Sequence, residues 1–309
     1  MPISIAIHGG AGTLIKGEMT PAKESAYKTQ LQLALDNGYN MLAGGKSAID
    51  AVETAVKILE DTPLFNAGKG SVFTADGTHE MDASIMNGAN LKAGAVSLIY
   101  GIKNPISLAR DVMQNSDHVF LAGEGAMQFA RSLGYSIEHE DYFYDDFRFK
   151  QWQEIKDSDK FQLDHSAKKD TKFGTVGAVA CDNRGNLAAA TSTGGMTNKK
   201  WGRIGDSPII GSGTYANNKT CAVSCTGSGE YFLRGVVAYD VSCLIEYRGL
   251  TLKEAATTVI QQRLKKLGGD GGLIAVNAQG EIATPFNTEG MYRAYKTSSG
   301  ASKIAIYAD

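Results

Sequence analysis

Cysteine, proline and long apolar runs are scarce in this chain, and each scarcity excludes a class of protein. Only four of the 309 residues are cysteine and six are proline. The cysteines lie in apolar stretches without CxxC pairs or neighbouring histidines, so we expect buried free thiols, not a disulfide framework or a zinc site. No run reaches the roughly eighteen apolar residues that a membrane span requires. Residues 1–7 lack the charged and apolar regions of a signal peptide, so we expect a cytoplasmic protein.

Neither sign of charge dominates the sequence. The 31 basic and 33 acidic residues are interspersed, and the formal net charge is −2. Without a basic patch we expect no nucleic-acid partner and no membrane partner. The chain is 43% hydrophobic, which allows it to bury a large core. From the composition we therefore expect a small-molecule substrate.

Helical periodicity over residues 21–43 and 47–60 is followed by strand-like segments, so the chain is of mixed α and β type. The other main segments that we predict to be helices or strands are 71–74, 79–86, 92–100, 104–114, 123–133, 230–247 and 251–266. Between the first two helices, Gly44-Gly45-Lys46-Ser47 is similar to the end of a phosphate-binding loop. That motif requires glycine at position 40, which is asparagine here, and a preceding strand. We therefore expect a helix C-cap followed by an N-cap.

Residues 138–174 differ sharply from the rest of the chain in composition. Of these 37 residues 17 are charged, against 21% for the whole sequence, and the only glycine is the last residue. Such a segment contributes little to a core, so we predict a mobile surface linker on which the aromatic side chains dock only transiently. A long linker that ends at Gly174 is what a processing site requires.

Thr175 follows this linker and opens a β-branched segment. A threonine hydroxyl is a poor nucleophile without a base beside it, and a free α-amino group on the same residue is such a base. Freeing that amine requires cleavage of the Gly174–Thr175 bond. A glycine lets the backbone bend so that the hydroxyl attacks the preceding carbonyl and forms an ester that water cleaves. On these residues alone, a strand that starts after a loop is the favoured interpretation.

The segments 175–181 and 187–193 flank a turn sequence centred on Arg184, so they predict a β-hairpin. This hairpin places Thr175 opposite Thr193. The two hydroxyl groups would then be close enough to hydrogen-bond across the strand pair. Taken alone, Thr193 also fits an ordinary strand position.

Three glycine-rich stretches carry further candidate chemistry. Arg203 and Asp206 could bind the carboxylate and the ammonium of an α-amino acid, or could form a salt bridge with each other. The stretch 226–230 precedes a predicted helix, and N–H groups at a helix N-terminus can stabilise an oxyanion. His8-Gly9-Gly10 is either a tight turn or the rim of a site.

Seven motifs together resemble the plant-type L-asparaginases, also called isoaspartyl aminopeptidases, of the N-terminal-nucleophile hydrolases. The motifs are His8-Gly9-Gly10, Asn66-Ala67-Gly68, Gly174-Thr175-Val176-Gly177, Thr191-Ser192-Thr193-Gly194-Gly195, Gly202-Arg203-Ile204-Gly205-Asp206-Ser207-Pro208, Thr226-Gly227-Ser228-Gly229-Glu230 and Pro285-Phe286-Asn287-Thr288. The match covers nearly the whole chain apart from residues 138–172. The resemblance implies an α+β fold of four αββα layers, with antiparallel sheets flanked by helices.

The resemblance also implies an activity and a nucleophile. Members hydrolyse L-asparagine to L-aspartate and ammonia and remove N-terminal β-linked aspartyl residues from peptides. By position, Thr175 would be the nucleophile that is exposed by self-cleavage after Gly174. Thr193 would support it and Asn66 would orient it.

Substrate contacts are implied in the same way. Arg203 and Asp206 would hold the α-carboxylate and the α-amino group of an amide or isoaspartyl dipeptide substrate. Thr226 and Gly227 would form the oxyanion hole. The carbonyl of Gly229 would help to bind the amino group.

The resemblance further implies a metal ion and an assembly, but no cofactor for catalysis. A structural sodium ion would be held by main-chain carbonyl groups, namely those of Leu59, Glu60, Thr62, Phe65, Ala67 and Lys69. A single domain, 1–309, would be cleaved into a large subunit, 1–174, and a small subunit, 175–309. Two such heterodimers would form a tetramer.

Two alternatives stay open at this point. Glycosylasparaginase shares the Gly-Thr nucleophile and the Arg/Asp pair, but it is a secreted or lysosomal enzyme. The chain could also be an unprocessed, non-catalytic member of the family. A conventional serine hydrolase is disfavoured because no G-x-S-x-G pattern occurs and no histidine follows His165.

Overall fold

A computed structural model describes residues 1–157 and 174–308 of the chain. Within these ranges the strands are β1 (Ser4–Gly12), β2 (Met81–Asn87), β3 (Ala93–Ile99), β4 (Phe120–Ala122), β5 (Val176–Cys181), β6 (Leu187–Thr193), β7 (Thr214–Ala216), β8 (Ala222–Gly227), β9 (Gly271–Val276), β10 (Ile282–Ala283), β11 (Gly290–Thr297) and β12 (Ser302–Tyr307). The helices are α1 (Pro21–Ala43), α2 (Ala48–Glu60), α3 (Pro105–Asn115), α4 (Gly123–Ser132), α5 (Asp146–Gln153), α6 (Gly229–Gly235), α7 (Val237–Arg248), α8 (Leu252–Thr258) and α9 (Lys265–Leu267), with a π-helical turn at Val259–Leu264.

The strands form two sheets that stack face to face. The larger sheet has the order β12-β11-β1-β5-β6-β2-β3-β4, and the smaller sheet has the order β10-β9-β8-β7. Helices α1, α2 and α3 pack on the outer face of the larger sheet, and α7 and α8 pack on the smaller sheet. This arrangement confirms the predicted αββα layers. One pair departs from the expected antiparallel pattern, because β3 and β4 are parallel.

Burial on both faces explains why the larger sheet carries small and apolar residues. In β1, Ile5 and Ile7 pack against the helices, whereas Ala6 belongs to the cluster between the two sheets. Alternate side chains of a strand point to opposite faces, so both sets are removed from water. The space between the sheets is thus lined by residues of both, and side chains placed there are held rigidly.

The predicted hairpin register is confirmed. Val176 pairs with Ser192 and Gly177 pairs with Thr191, which sets Thr175 at the level of Thr193. The predicted strand at 71–74 is wrong. A 3₁₀ turn at Gly68–Gly70 precedes this segment, and Thr74 makes only an isolated bridge.

The first two helices begin and end where their capping residues predict. The hydroxyl of Thr20 accepts from the Lys23 N–H ahead of Pro21, and Gly44 caps the end of α1. Ser47 forms a capping box with Asp50 at the start of α2. The segment between α1 and α2 is therefore a pair of helix caps, as expected, and not a phosphate-binding loop.

The predicted helix at 230–247 is interrupted. Val236 adopts a left-handed conformation, with φ 46° and ψ 47°, and separates α6 from α7. A β-branched residue is strained in this conformation. The predicted helix at 251–266 is present, but its central part is the π-helical turn.

The first part of the predicted linker is more ordered than its charge suggested. It contains a 3₁₀ turn at Glu140–Tyr142 and helix α5, and Phe143 is 1% exposed. The rings of Phe149 and Trp152 each lie 5.7 Å from that of Phe73. Aromatic packing therefore outweighs the polar composition here. The rest of the predicted linker, 158–173, lies outside the described residues.

All four cysteines are free thiols, and those at 181, 221 and 225 are buried. This confirms the expectation of free thiols, while Cys243 is half-buried and not buried as expected. Among the residues that the structure describes, no helix has the length and hydrophobicity that crossing a bilayer requires.

Candidate active site

Thr175 lies one residue before β5 and is 8% exposed. Its Oγ1 donates to Oγ1 of Thr193 across 3.3 Å, as the hairpin register predicts. The Thr193 hydroxyl in turn donates to the carbonyl oxygen of Gly174 at 2.6 Å and accepts from the Gly195 N–H at 3.0 Å. The two hydroxyl groups thus form a continuous hydrogen-bonded path from the side chain of Thr175 to the carbonyl that precedes it.

Asn66 fixes the two segments that meet at this point. Its Nδ2 donates to the Gly195 carbonyl at 2.7 Å, and its Oδ1 accepts from the Val72 N–H at 3.0 Å. A Cβ atom on Gly174 would lie only 1.7 Å from Cβ of Asn66. From the sequence, the reason for glycine at position 174 was its backbone freedom. The structure adds a second reason, because no side chain at this position would fit beside Asn66.

His8 contacts the candidate nucleophile directly, which the sequence analysis missed. Its Nδ1 is 3.1 Å from the carbonyl oxygen of Thr175, and its Nε2 is 2.9 Å from Oγ of Ser224. Burial lowers the pKa of His8 to about 3, so the imidazole is neutral near pH 7. The adjacent glycines do not form the predicted tight turn but lie within β1, where Gly10 has φ 113° at a bulge in the strand pairing, and a Cβ on Gly9 would lie 2.3 Å from the ring of Phe65.

Arg203 pairs with a carboxylate that the sequence did not single out. Its Nε and Nη2 donate to the two carboxylate oxygens of Glu230 at 2.8 and 2.9 Å. The predicted alternative, an ion pair between Arg203 and Asp206, does not occur among the ion pairs of the described residues. Glu230 lies near the start of α6, and both of its carboxylate oxygens accept from the guanidinium in a two-point contact.

Asp206 is buried without a hydrogen-bond partner for one of its oxygens. It is 4% exposed, and its Oδ2 contacts no donor within residues 1–157 and 174–308. Burial raises the pKa of Asp206 to about 7, although the nearby Arg203 guanidinium acts in the opposite direction. A buried carboxylate of this kind is stabilised most by a cationic group that both neutralises its charge and donates a hydrogen bond to its free oxygen.

Gly229 lies between these two charged groups. A Cβ on Gly229 would be 2.9 Å from Nη2 of Arg203 and 2.9 Å from Oδ1 of Asp206. Because glycine has no side chain, the space next to both the guanidinium of Arg203 and the carboxylate of Asp206 stays open. Arg203, Asp206 and Gly229 are brought together as the sequence predicted, with Glu230 as an additional member.

Thr226 and Gly227 end β8, the strand that also carries Ser224. Thr226 is two residues beyond Ser224, so both side chains are on the same face of the strand. Its Oγ1 is buried and has no hydrogen-bond partner in the described part of the chain. Gly227 has φ 150°, and a Cβ there would lie 2.3 Å from the Asp270 carbonyl. The hydroxyl of Thr226 is therefore a donor that the fold leaves unused.

The predicted sodium ligands extend from the last two residues of α2 through the connecting loop into the 3₁₀ turn. The carbonyl oxygen of Glu60 lies 2.5 Å from where a Cβ of Gly68 would be, and that of Phe65 lies 2.1 Å from the corresponding point on Gly70. The Glu60 side chain is buried, and desolvation raises its pKa to about 8. Within residues 1–157 and 174–308 no cluster of acidic, histidine and cysteine side chains is arranged to bind a metal. Any cation in this loop would depend on main-chain oxygens.

Comparison with known proteins connects this geometry to a family. The model of the asparaginase family, Asparaginase_2, matches residues 1–306. The chain is 50% identical to an isoaspartyl peptidase of Salmonella typhimurium, covering 98% of each chain. It is 49% identical to an isoaspartyl peptidase of Escherichia coli, covering 98% of this chain and 95% of that protein. It is 43% identical to a plant-type L-asparaginase of Pyrococcus abyssi, covering 95% and 96% of the two chains.

Proposed function

The chain belongs to the asparaginase family that matches residues 1–306, and from this premise we propose that it cleaves itself before Thr175 and then hydrolyses β-amides of aspartate. Its substrates are L-asparagine, which yields L-aspartate and ammonia, and peptides with an N-terminal β-linked aspartyl residue. The names of the relatives support this activity. The observation that carries the mechanism is the hydrogen-bonded path from the Thr175 hydroxyl through Thr193 to the Gly174 carbonyl.

Self-cleavage uses this path. Oγ1 of Thr175 attacks the carbonyl carbon of Gly174 while its proton passes to Oγ1 of Thr193 and the Thr193 proton passes to the Gly174 oxygen, which gives a neutral tetrahedral intermediate. The C–N bond then breaks as the proton on that oxygen passes to the nitrogen, and an ester joins Gly174 to Oγ1. Water hydrolyses the ester, which leaves a carboxylate on Gly174 and a free α-amino group on Thr175.

The free amine then acts as the base for substrate hydrolysis. It accepts the proton of the Thr175 hydroxyl, which attacks the β-carbonyl carbon of the substrate. The unused hydroxyl of Thr226 stabilises the oxyanion, together with the main chain at Gly227. Loss of ammonia or of the peptide amine leaves an aspartyl ester on Thr175, and water releases L-aspartate.

Two charged groups select the aspartyl part of the substrate. The unpartnered oxygen of Asp206 accepts from the α-ammonium, and Arg203 binds the α-carboxylate. Because Glu230 already occupies Nε and Nη2 of Arg203, the substrate carboxylate either takes its place or uses the remaining Nη1. The carbonyl of Gly229 adds an acceptor for the ammonium. Amides that lack the α-carboxylate or the α-ammonium group are therefore expected to be poor substrates.

The proposal extends to an ion, an assembly and a location. A sodium ion would be bound by main-chain carbonyls of the loop 59–69, which is supported by the close approach of its two limbs at Gly68 and Gly70. We expect a dimer of cleaved heterodimers. A cytoplasmic location agrees with four free thiols, since an oxidising compartment favours disulfides. Replacement of sodium by choline in a thermal melt, and sedimentation of the mature protein, test the first two points.

Incubation of the purified protein tests the proposed function. The wild-type chain should convert to fragments 1–174 and 175–309 and gain activity towards L-asparagine and β-aspartyl dipeptides as it does so. Thr175→Ala should stay intact and inactive. Full activity of an intact chain would contradict the mechanism, whereas activity on glycosylated asparagine alone would favour the glycosylasparaginase alternative.

A further inference from the structure

A neutral, buried histidine crosses from one sheet to the other beside the candidate nucleophile. His8 lies on β1 of the larger sheet, and its Nε2 is 2.9 Å from Oγ of Ser224 on β8 of the smaller sheet. A Cβ atom on Gly177 would lie 2.4 Å from that Nε2 and 2.0 Å from the serine oxygen. Glycine at this position of β5 therefore leaves the opening through which the imidazole reaches the second sheet.

The contact continues as a chain of buried hydroxyl groups between the sheets. Oγ of Ser224 is 2.7 Å from Oγ1 of Thr191, which is 2.6 Å from Oγ1 of Thr214, which is 2.8 Å from Oγ of Ser84. These residues are fully buried and alternate between the smaller and the larger sheet. Ser84 shares its one proton between Thr214 and the carbonyl oxygen of Ser207, which lies 2.6 Å from its Oγ. Ser207 directly follows Asp206, so the chain joins the nucleophile to the substrate-binding loop.

The protons of this chain have one consistent order. The Thr175 carbonyl can only accept, so Nδ1 of His8 carries the proton and Nε2 is bare. Ser224 must then donate to Nε2, which uses its only proton. Thr191 must therefore donate to Ser224, and Thr214 must donate to Thr191. The Thr175 carbonyl thus fixes the tautomer of the imidazole, and the hydroxyl chain is ordered to match it.

Thr175 depends on this imidazole because it lies beyond the strand ladder. The β1–β5 pairing ends at His8 and Gly177, and the β5–β6 pairing ends at Val176. The hydrogen bond from Nδ1 fixes the carbonyl side of the nucleophile, and Thr193 fixes its hydroxyl and the carbonyl of the preceding residue. Without the first contact, the main chain at Thr175 is held from one side only.

We propose that His8 is a positioning residue for Thr175, with its protonated Nδ1 donating to the Thr175 carbonyl and its bare Nε2 accepting from Ser224. The inference rests on the proposed role of Thr175 as the nucleophile. His8 does not exchange protons with the substrate. It sets the direction of the Thr175 hydroxyl, and a displacement of about 1 Å at a reacting group can cost about 100-fold in rate.

Two substitutions of matched chemistry separate positioning from simple core packing. Asparagine at position 8 places an amide N–H near the position of Nδ1, whereas glutamine places its amide near Nε2. We expect His8→Asn to keep self-cleavage and kcat within about threefold of wild type, and His8→Gln to lower both by about 10- to 100-fold. KM should stay unchanged in both, because Arg203 and Asp206 hold the substrate.

Melting temperatures and a second variant complete the test. If His8→Asn and His8→Gln lose activity equally and in step with their melting temperatures, His8 is only a core residue and the inference is wrong. Ser224→Ala should lower kcat without changing KM, since it removes the donor to Nε2. A kcat equal to that of the wild type in His8→Gln would also overturn the inference.

The tautomer itself can be observed by ¹⁵N NMR of the imidazole nitrogens, because the chain has only five histidines and His8→Asn assigns the signals. A bare Nε2 and a protonated Nδ1 are expected, and the opposite tautomer would refute the proposed order of protons. Thr175→Ala is assayed in parallel. If it retains activity, the proposed function itself fails. If it is inactive while His8→Gln matches wild type, only the positioning role fails.

Discussion

Replacement of Thr193 by valine removes one hydroxyl from the candidate site while keeping the shape of the side chain. That hydroxyl makes three contacts, accepting from Thr175 and from the Gly195 N–H and donating to the Gly174 carbonyl at 2.6 Å. The last contact is the only one that stabilises charge on the carbonyl during self-cleavage. Loss of such a donor costs about 100- to 1,000-fold in rate. We therefore expect Thr193→Val to slow self-cleavage by about that factor.

The same substitution has a separate and smaller effect on stability. The Gly195 N–H loses its acceptor, which costs about 1–3 kcal/mol if the group stays buried. A time course of fragment formation on a gel measures the rate, and urea unfolding of a Thr175→Ala background measures the stability without interference from cleavage. Thr193→Ser is the control, because it keeps the hydroxyl and should mature within a few-fold of wild type. Maturation of Thr193→Val at the wild-type rate would refute the path from Thr175 to Gly174.

Three further outcomes follow from the charges and the strain in the structure. Arg203→Ala should lower kcat/KM for L-asparagine by about 100-fold or more, and Arg203→Lys should recover little, since an ammonium lacks the two-point geometry seen with Glu230. Asp206 has a pKa of about 7 in the folded chain, well above the usual range of an aspartate, so its stability contribution is lost as pH rises from that range to about 7. Asp206→Asn should therefore be inactive in an L-asparagine assay, and thermal melts should find it more stable than wild type above pH 7, with the difference vanishing near pH 4. Val236→Gly should raise the free energy of unfolding by about 0.5–1 kcal/mol, because it relieves a strained left-handed residue that is 44% exposed.

Local patterns in the sequence were sufficient for the features that depend on neighbouring residues. The caps at Gly44 and Ser47 set the ends of the first two helices, and the turn centred on Arg184 set the register that pairs Thr175 with Thr193. These elements are specified by a few adjacent side chains and by strand periodicity. The family resemblance then extended the prediction to the αββα layers.

Features that depend on packing between distant segments were not accessible in this way. The Arg203–Glu230 pair joins a loop to the start of α6, and its partners are 27 residues apart. The contact between His8 and Ser224 exists only because the two sheets stack with Gly177 between them. Strand β11 was also missed, because burial on both of its faces removes the alternation that identifies a strand.

The charged segment after residue 138 illustrates the limit of composition as a guide. Its net polarity predicted a linker without core contacts, yet Phe143 is buried and α5 places Trp152 against Phe73. A few aromatic residues were enough to anchor this part of the segment, since each buries a large area. Composition averages over a segment, whereas packing depends on the positions of single side chains.

The most direct test of the central claim concerns the α-amino group of Thr175. Residues 1–174 and 175–309 are co-expressed as two chains, once with Thr175 as the free N-terminus and once with an additional residue before it. Both pairs should assemble, because the core is the same in each. Only the pair with the free amine should hydrolyse L-asparagine and β-aspartyl dipeptides, and its kcat/KM should fall on the acid side as that amine is protonated. Equal rates from the two pairs would show that another group is the base and would contradict the assignment of Thr175 as an N-terminal nucleophile.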